Sequence, residues 1–164
     1  MPSSDPIEIL LKHDRWATRQ ILEKCVPLTP EQFNQKFEIG PGSLHAATTH
    51  LVSAQRTWCD TLAGRPVRPH LDKEGKNRTP AEIIALQDEV SSEFFALVSA
   101  HPPDQTVTRE RGGKTHTFTR GTVFAHVLVH GAHHRAQCIN MLRRLGVTPL
   151  PPSSVVEWSF MGDK

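Results

Sequence analysis

The chain has 164 residues, of which 37% are hydrophobic and 22% charged, as is typical of one globular domain and not of a disordered or fibrous chain. The net charge is only +2 with neutral histidines, and the basic residues form no stripe of the kind that neutralises DNA phosphates, so nucleic acid is not expected as a partner. No segment reaches the roughly 18 apolar residues of a membrane span, and three separated cysteines without a CxxC motif fit a reducing compartment, so we predict a cytoplasmic protein.

Prolines and glycines divide the chain into segments, and four of these have the apolar spacing of a long amphipathic helix. The first spans residues 5–26, and a short helical turn at 29–33 follows it. The second spans 44–63, with Ser43 as its N-cap. The third begins after Thr79 and ends before Pro102, and the fourth spans 121–145.

Residues 106–119, between the third and fourth long helices, alternate on both sides of a Gly-Gly pair, which predicts a short β-hairpin. The tail at 155–160 is apolar enough to dock on the helices. Strands and helices do not alternate along the chain. We therefore predict an all-α fold, a four-helix bundle with one hairpin, in a single domain that spans residues 1–164.

Histidine is the outlier of the composition, with ten residues in the chain. Four of them lie within nine residues of the last helix: His126, His130, His133 and His134. Side chains four residues apart stand one above the other on one helix face, so His130 and His134 can bind one metal ion at ~2.0–2.1 Å. This pair belongs to an apolar stripe that faces the core, whereas His133 points about 100° away and His126 is less favoured.

A stable site needs at least one further ligand, and the second long helix offers His45 and His50. His50 lies on the flank of the apolar face, whereas His45 is in the first turn and is expected to be exposed. Three histidine ligands leave one coordination position open, which is typical of a catalytic metal and not of a structural one.

Three segments together resemble the DinB family of DinB/YfiT-like metalloenzymes. They are residues 10–22 (LLKHDRWATRQIL), residues 42–58, where His50 precedes Trp58 by eight, and residues 126–137 (HVLVHGAHHRAQ), which are similar to the family pattern H-x3-H-x2-H-H-R-G-Q. The resemblance covers nearly the whole chain and implies a four-helix bundle that binds a divalent metal through His50, His130 and His134. The chain departs from the pattern at Ala136, where the family usually has glycine, and at residues 153–157, which lack the aspartate often seen there.

A metal with an open position can activate a water molecule for hydrolysis or deprotonate a thiol and offer it as a nucleophile. Zinc hydrolases of the HExxH type carry a glutamate base beside the first histidine. Here Gly131 has that place, and no acidic residue occurs between Phe118 and Val156. Because the family that the chain resembles includes transferases that use low-molecular-weight thiols, we predict a metal-dependent S-transferase. A metal-dependent hydrolase and a non-catalytic, stress-related metal-binding module are the alternatives.

The metal itself is open among Zn, Ni, Fe and Mn, because the order of affinities does not decide which ion a site holds in the cell. Cys138, four residues after His134, is expected in the core and not as a ligand. Arg135 and Gln137 can orient ligands or substrate, although Arg135 can equally be a surface charge. The resemblance also implies a homodimer that acts on a small molecule.

Overall fold

The computed structural model describes residues 3–161. In this part of the chain the elements are α1 (Pro6–Cys25), α2 (Pro30–Phe33), α3 (Leu44–Leu62), α4 (Pro80–Ser99), β1 (Thr106–Arg111), β2 (Lys114–Thr119), α5 (Arg120–Arg144) and α6 (Val155–Phe160). The predicted bundle with a hairpin between its third and fourth long helices is confirmed. A 3-10 turn at Leu71–Glu74, inside the loop between α3 and α4, was not predicted.

Capping side chains explain why the long helices begin where they do. The carboxylate of Asp5 accepts a hydrogen bond from the amide of Ile7, and the hydroxyl of Ser43 accepts one from Ala46. Thr79 and Glu82 bond reciprocally at the start of α4. Each cap satisfies an amide that has no partner within the helix and contributes about 1 kcal/mol.

The four long helices pack so that α1 and α3 lie diagonally across the bundle, each in contact with both α4 and α5. Their inward faces form one apolar core, which includes the fully buried side chains of Ile21, Leu22, Leu44, Ile83, Phe94, Met141 and Leu142. Consecutive long helices α1 and α3 are thus not neighbours, and the groove between α3 and α5 joins segments about 80 residues apart in the sequence. None of the described helices is long and apolar enough to cross a membrane.

The hairpin and the tail both pack on the bundle. Strands β1 and β2 are antiparallel, and Phe118 on β2 meets the ring of Trp58 on α3 edge to face at 5.6 Å. Trp158 on α6 is buried and contacts the ring of His13 on α1. The expected docking of the tail is therefore observed, and the hairpin lies beside α3.

Candidate metal centre

Three imidazoles meet where α3 packs against α5. His50 comes from α3, and His130 and His134 come from successive turns of α5. Nε2 of His130 is 3.3 Å from Nε2 of His50 and 3.2 Å from Nε2 of His134. The structure thus brings together the three histidines that the sequence singled out, with all three nitrogens within 4.8 Å of one another.

These distances fit a metal ion better than a set of mutual hydrogen bonds. Nitrogens bound tetrahedrally at about 2.0–2.1 Å are separated by about 3.3–3.4 Å. Nδ1 of His134 lies 2.8 Å from Oε1 of Gln137, an acceptor, so this nitrogen carries the proton and Nε2 of a neutral His134 has a free lone pair. Because Nε2 of a neutral His134 has no proton and Nε2 of His130 can carry only one, at least one of the two contacts of His130 has no hydrogen between the nitrogens.

Burial keeps the three imidazoles neutral, which is the form that binds metal. The pKa of His130 is lowered to about 4, first by burial and then by the neighbouring His134 and His50. Burial is also the main cause that lowers the pKa of His50 and of His134. Among the described residues, no carboxylate or thiol joins the three nitrogens, so this part of the chain leaves a fourth coordination position open.

Gln137 fixes the orientation of His134 from the next turn of α5. Its carbonyl accepts from Nδ1 of His134, and its amide donates to Nε2 of His133 at 2.9 Å. The loop before α3 passes close to this amide, since a methyl group on Gly40 would overlap it. Gly40 also has a φ of 47°, which disfavours any side chain there. A side chain at position 40 would therefore displace Gln137, which contacts a predicted ligand.

A buried ion pair lies behind His130. Arg135 on α5 donates to the carboxylate of Asp14 on α1 and, at 3.3 Å, to the hydroxyl of Thr18. These side chains line one narrow cavity together with His130 and Trp58. A methyl group on Gly131 would come within 2.9 Å of both Asp14 and Arg135, so the glycine makes room for the pair.

The remaining histidines near the centre have other contacts. The ring of His126 stacks on that of His130 at 5.5 Å and meets the ring of Trp58 edge to face at 5.0 Å. His133 is exposed beside Gln137. The expectation that His45 is exposed was wrong. Its ring is partly buried against Phe33, and Nε2 accepts a hydrogen bond from the amide of Arg78 because the loop before α4 folds over it.

Two features of the site were missed or left open by the sequence. Cys138 is buried in the core as expected, but Arg135 is also buried and is not a surface charge. The position of Asp14 in the sequence indicates its burial, because it lies three residues after Leu11 and three before Ala17 on the apolar face of α1. No local pattern indicates that its partner is Arg135, 121 residues away.

Comparisons with known proteins give a family match and two solved structures of similar fold. The sequence model that defines the DinB family matches residues 2–156 of the chain. Protein DinB of Bacillus subtilis (strain 168) is 22% identical to the chain over 150 residues, and the match covers 87% of each sequence.

Two solved structures share the fold. YfiT from Bacillus subtilis, described as "a probable metal-dependent hydrolase with an unusual four-helix bundle topology", has a TM-score of 0.67 at 15% identity and covers 90% of this chain and 92% of its own. A DinB-like protein from Bacillus cereus has a TM-score of 0.66 at 18% identity, with 87% of this chain and 91% of the other covered. At such low identity these structures support the fold alone.

Proposed function

The chain belongs to the DinB family, and on this premise we propose that it is a metal-dependent enzyme in which His50, His130 and His134 hold one divalent cation. The observation that carries the proposal is the convergence of three neutral Nε2 atoms with no fourth donor among the described residues. Three protein ligands and one open position are typical of catalytic metal sites. Zn, Ni, Fe and Mn are the candidates.

The proposed reaction is the transfer of a low-molecular-weight thiol to an electrophilic carbon. A divalent cation in such a site supplies Lewis acidity, which lowers the pKa of a thiol or a water molecule at its open position. The chain places no carboxylate among the three nitrogens. The buried carboxylate near His130, that of Asp14, already accepts from Arg135. Thiol chemistry is favoured because it needs no strong protein base.

His126 is the group best placed to receive a proton during the reaction. Its ring stacks on that of His130 at a centroid distance of 5.5 Å, and its side chain is otherwise exposed. In the transfer, the S–H proton leaves to this imidazole or to solvent while the sulfur forms a bond to carbon. With a chloroaromatic acceptor, chloride departs with the electrons of the broken C–Cl bond.

Hydrolysis is the second candidate, and one observation favours it. YfiT, which shares the fold, is described as a probable metal-dependent hydrolase. In a hydrolase the same His126 would act as the general base for a water molecule, because the position next to His130 that carries a glutamate in HExxH enzymes is Gly131 here.

Metal analysis of protein purified without a metal-affinity tag tests the proposed site. We expect about one divalent ion per chain, no retained ion in His130→Ala, and an unchanged ion content in His126→Ala. Equal metal content in His130→Ala and the unmodified protein would remove the basis of the proposal.

Activity of the metal-loaded protein distinguishes the two reactions. We expect conjugation of glutathione to 1-chloro-2,4-dinitrobenzene, followed by its absorbance, to exceed hydrolysis of p-nitrophenyl acetate, and both to be lost in His130→Ala. The reverse ranking would favour the hydrolase. No turnover by a fully metal-loaded protein would indicate a non-catalytic metal-binding module.

A further inference from the structure

The hairpin places an arginine over the ring of Trp58, beside the candidate metal centre. Cζ of Arg109 on β1 lies 5.1 Å from the ring centroid of Trp58. The Trp58 ring is 5.0 Å from His126, which is 5.5 Å from His130, and Trp58 lines the same cavity as His130. A continuous row of aromatic contacts therefore leads from the predicted ligands to this guanidinium.

The charge of Arg109 has no counterion within residues 3–161. Its guanidinium donates no hydrogen bond to a described residue, and its buried Nε is without a partner. Several other arginines of this part of the chain pair with carboxylates: Arg15, Arg19, Arg56, Arg65, Arg68, Arg78 and Arg135. Burial and the nearby Arg111 lower the pKa of Arg109, so its surroundings disfavour the charge.

The acidic side chain of the hairpin does not relieve this charge. Glu110 is the one acidic residue between positions 106 and 119, and its carboxylate accepts from the hydroxyl of Thr115. Adjacent residues of a strand point to opposite faces, so Glu110 lies on the face away from Arg109. The face of the hairpin toward Trp58 therefore carries no acidic side chain of the hairpin.

We propose that Arg109 binds a carboxylate of the substrate, so that the thiol taken by this enzyme is an anionic one. This inference rests on the proposed function. A guanidinium that stacks on an aromatic face keeps its N–H groups in one plane, where two of them can bind a carboxylate together. Trp58 and His126 then supply the surface along which the rest of the molecule lies, with its sulfur toward the three histidines.

The test compares two thiols that differ only in their carboxylates, glutathione and its diethyl ester, with the metal-loaded protein. Calorimetry gives the dissociation constants, and the Nε–H NMR signal of Arg109 reports the contact. We expect glutathione to bind more tightly than the ester and to shift this signal. In Arg109→Gln the binding of glutathione weakens about 10-fold, as for loss of a charge-assisted hydrogen bond, whereas the ester is unaffected. Arg109→Lys restores part of the loss.

Arg111→Gln is the matched control, because it removes the same charge from the exposed end of the same strand. It is expected to leave both dissociation constants within about 2-fold, since the guanidinium of Arg111 is exposed and its charge is largely screened by solvent. Equal weakening of both thiols by Arg109→Gln, or no binding of either thiol to the unmodified protein, overturns the inference. Tight binding of glutathione through Arg109 without turnover would contradict the proposed transferase and leave the anion site standing.

Discussion

Substitution of Gln137 by methionine is expected to weaken metal binding although this residue is not a predicted ligand. Its carbonyl accepts the Nδ1 proton of His134 at 2.8 Å and so keeps the lone pair of Nε2 directed at the site. Methionine has a similar length but cannot accept this proton. The imidazole can then rotate, or move its proton to Nε2, which cannot bind metal while protonated.

The expected loss is about 10–100-fold in metal affinity, the range seen when the outer hydrogen-bond partner of a histidine ligand is removed. This range corresponds to about 1.4–2.7 kcal/mol of binding free energy. The free energy of unfolding of the metal-free protein is expected to fall less, by about 0.5–1.5 kcal/mol, the net contribution of one hydrogen bond.

Competition with a chromophoric zinc chelator at neutral pH measures the affinity. Gln137→Glu is the matched control, because a carboxylate also accepts from Nδ1 of His134 and raises the basicity of the ring. We expect this variant to bind zinc at least as tightly as the unmodified protein. A methionine variant with unchanged zinc affinity, or a glutamate variant as weak as the methionine one, would refute the reasoning.

Three further outcomes are expected. Gly40→Ala and Gly42→Ala should both lower the free energy of unfolding, because both residues have positive φ. Only Gly40→Ala should also weaken zinc binding, measured by chelator competition, since its methyl group would overlap Gln137 whereas the nearest atom at Gly42 is 3.8 Å away. In the metal-free protein, the pKa of His130 is about 4 in the folded state and about 6.5 in the unfolded chain. The stability that this difference contributes is complete above about pH 6.5 and is lost as the pH falls toward 4, by at most about 1.4 kcal/mol per pH unit. In urea unfolding between pH 7 and 4.5, the free energy of unfolding should therefore depend less on pH in His130→Gln. Arg135→Met should cost about 3 kcal/mol by leaving the buried carboxyl group of Asp14, whose pKa burial already raises, without its partner. The second change Asp14→Leu should recover most of the loss, as thermal unfolding would show.

Local patterns in the sequence predicted the helices well because each long helix has its own start signal. Ser43 and Thr79 are caps whose hydrogen bonds involve residues at most three positions away, so they are visible within a short window. The same holds for His130 and His134, which are four residues apart on one face. The 3-10 turn at Leu71–Glu74 was not predicted because its formation depends on burial of Leu71 against α3, a tertiary contact.

Contacts between distant segments could not be derived from spacing. The resemblance to a family pointed to His50 as the third histidine, but only the packing of α3 on α5 shows how close its nitrogen is to that of His130. The close approach of Gly40 to Gln137 joins a loop to a helix 97 residues later. In the sequence Gly40 is one of the glycines that divide the chain into segments, and its close approach to a side chain has no signature there.

Gly131 shows how the ion pair of Asp14 and Arg135 limits the chemistry available next to His130. A glycine inside a helix costs about 1 kcal/mol relative to alanine, and here it stands next to a predicted ligand. The cost has a reason, since a β-carbon at this position would displace both Asp14 and Arg135. The ion pair ties α1, which contributes none of the three imidazoles, to α5 at the level of His130. In HExxH enzymes the residue after the first histidine is the general base. In this chain the ion pair occupies the space beside Gly131, so we expect the proton acceptor of the proposed reaction to be solvent or His126, whose ring stacks on that of His130.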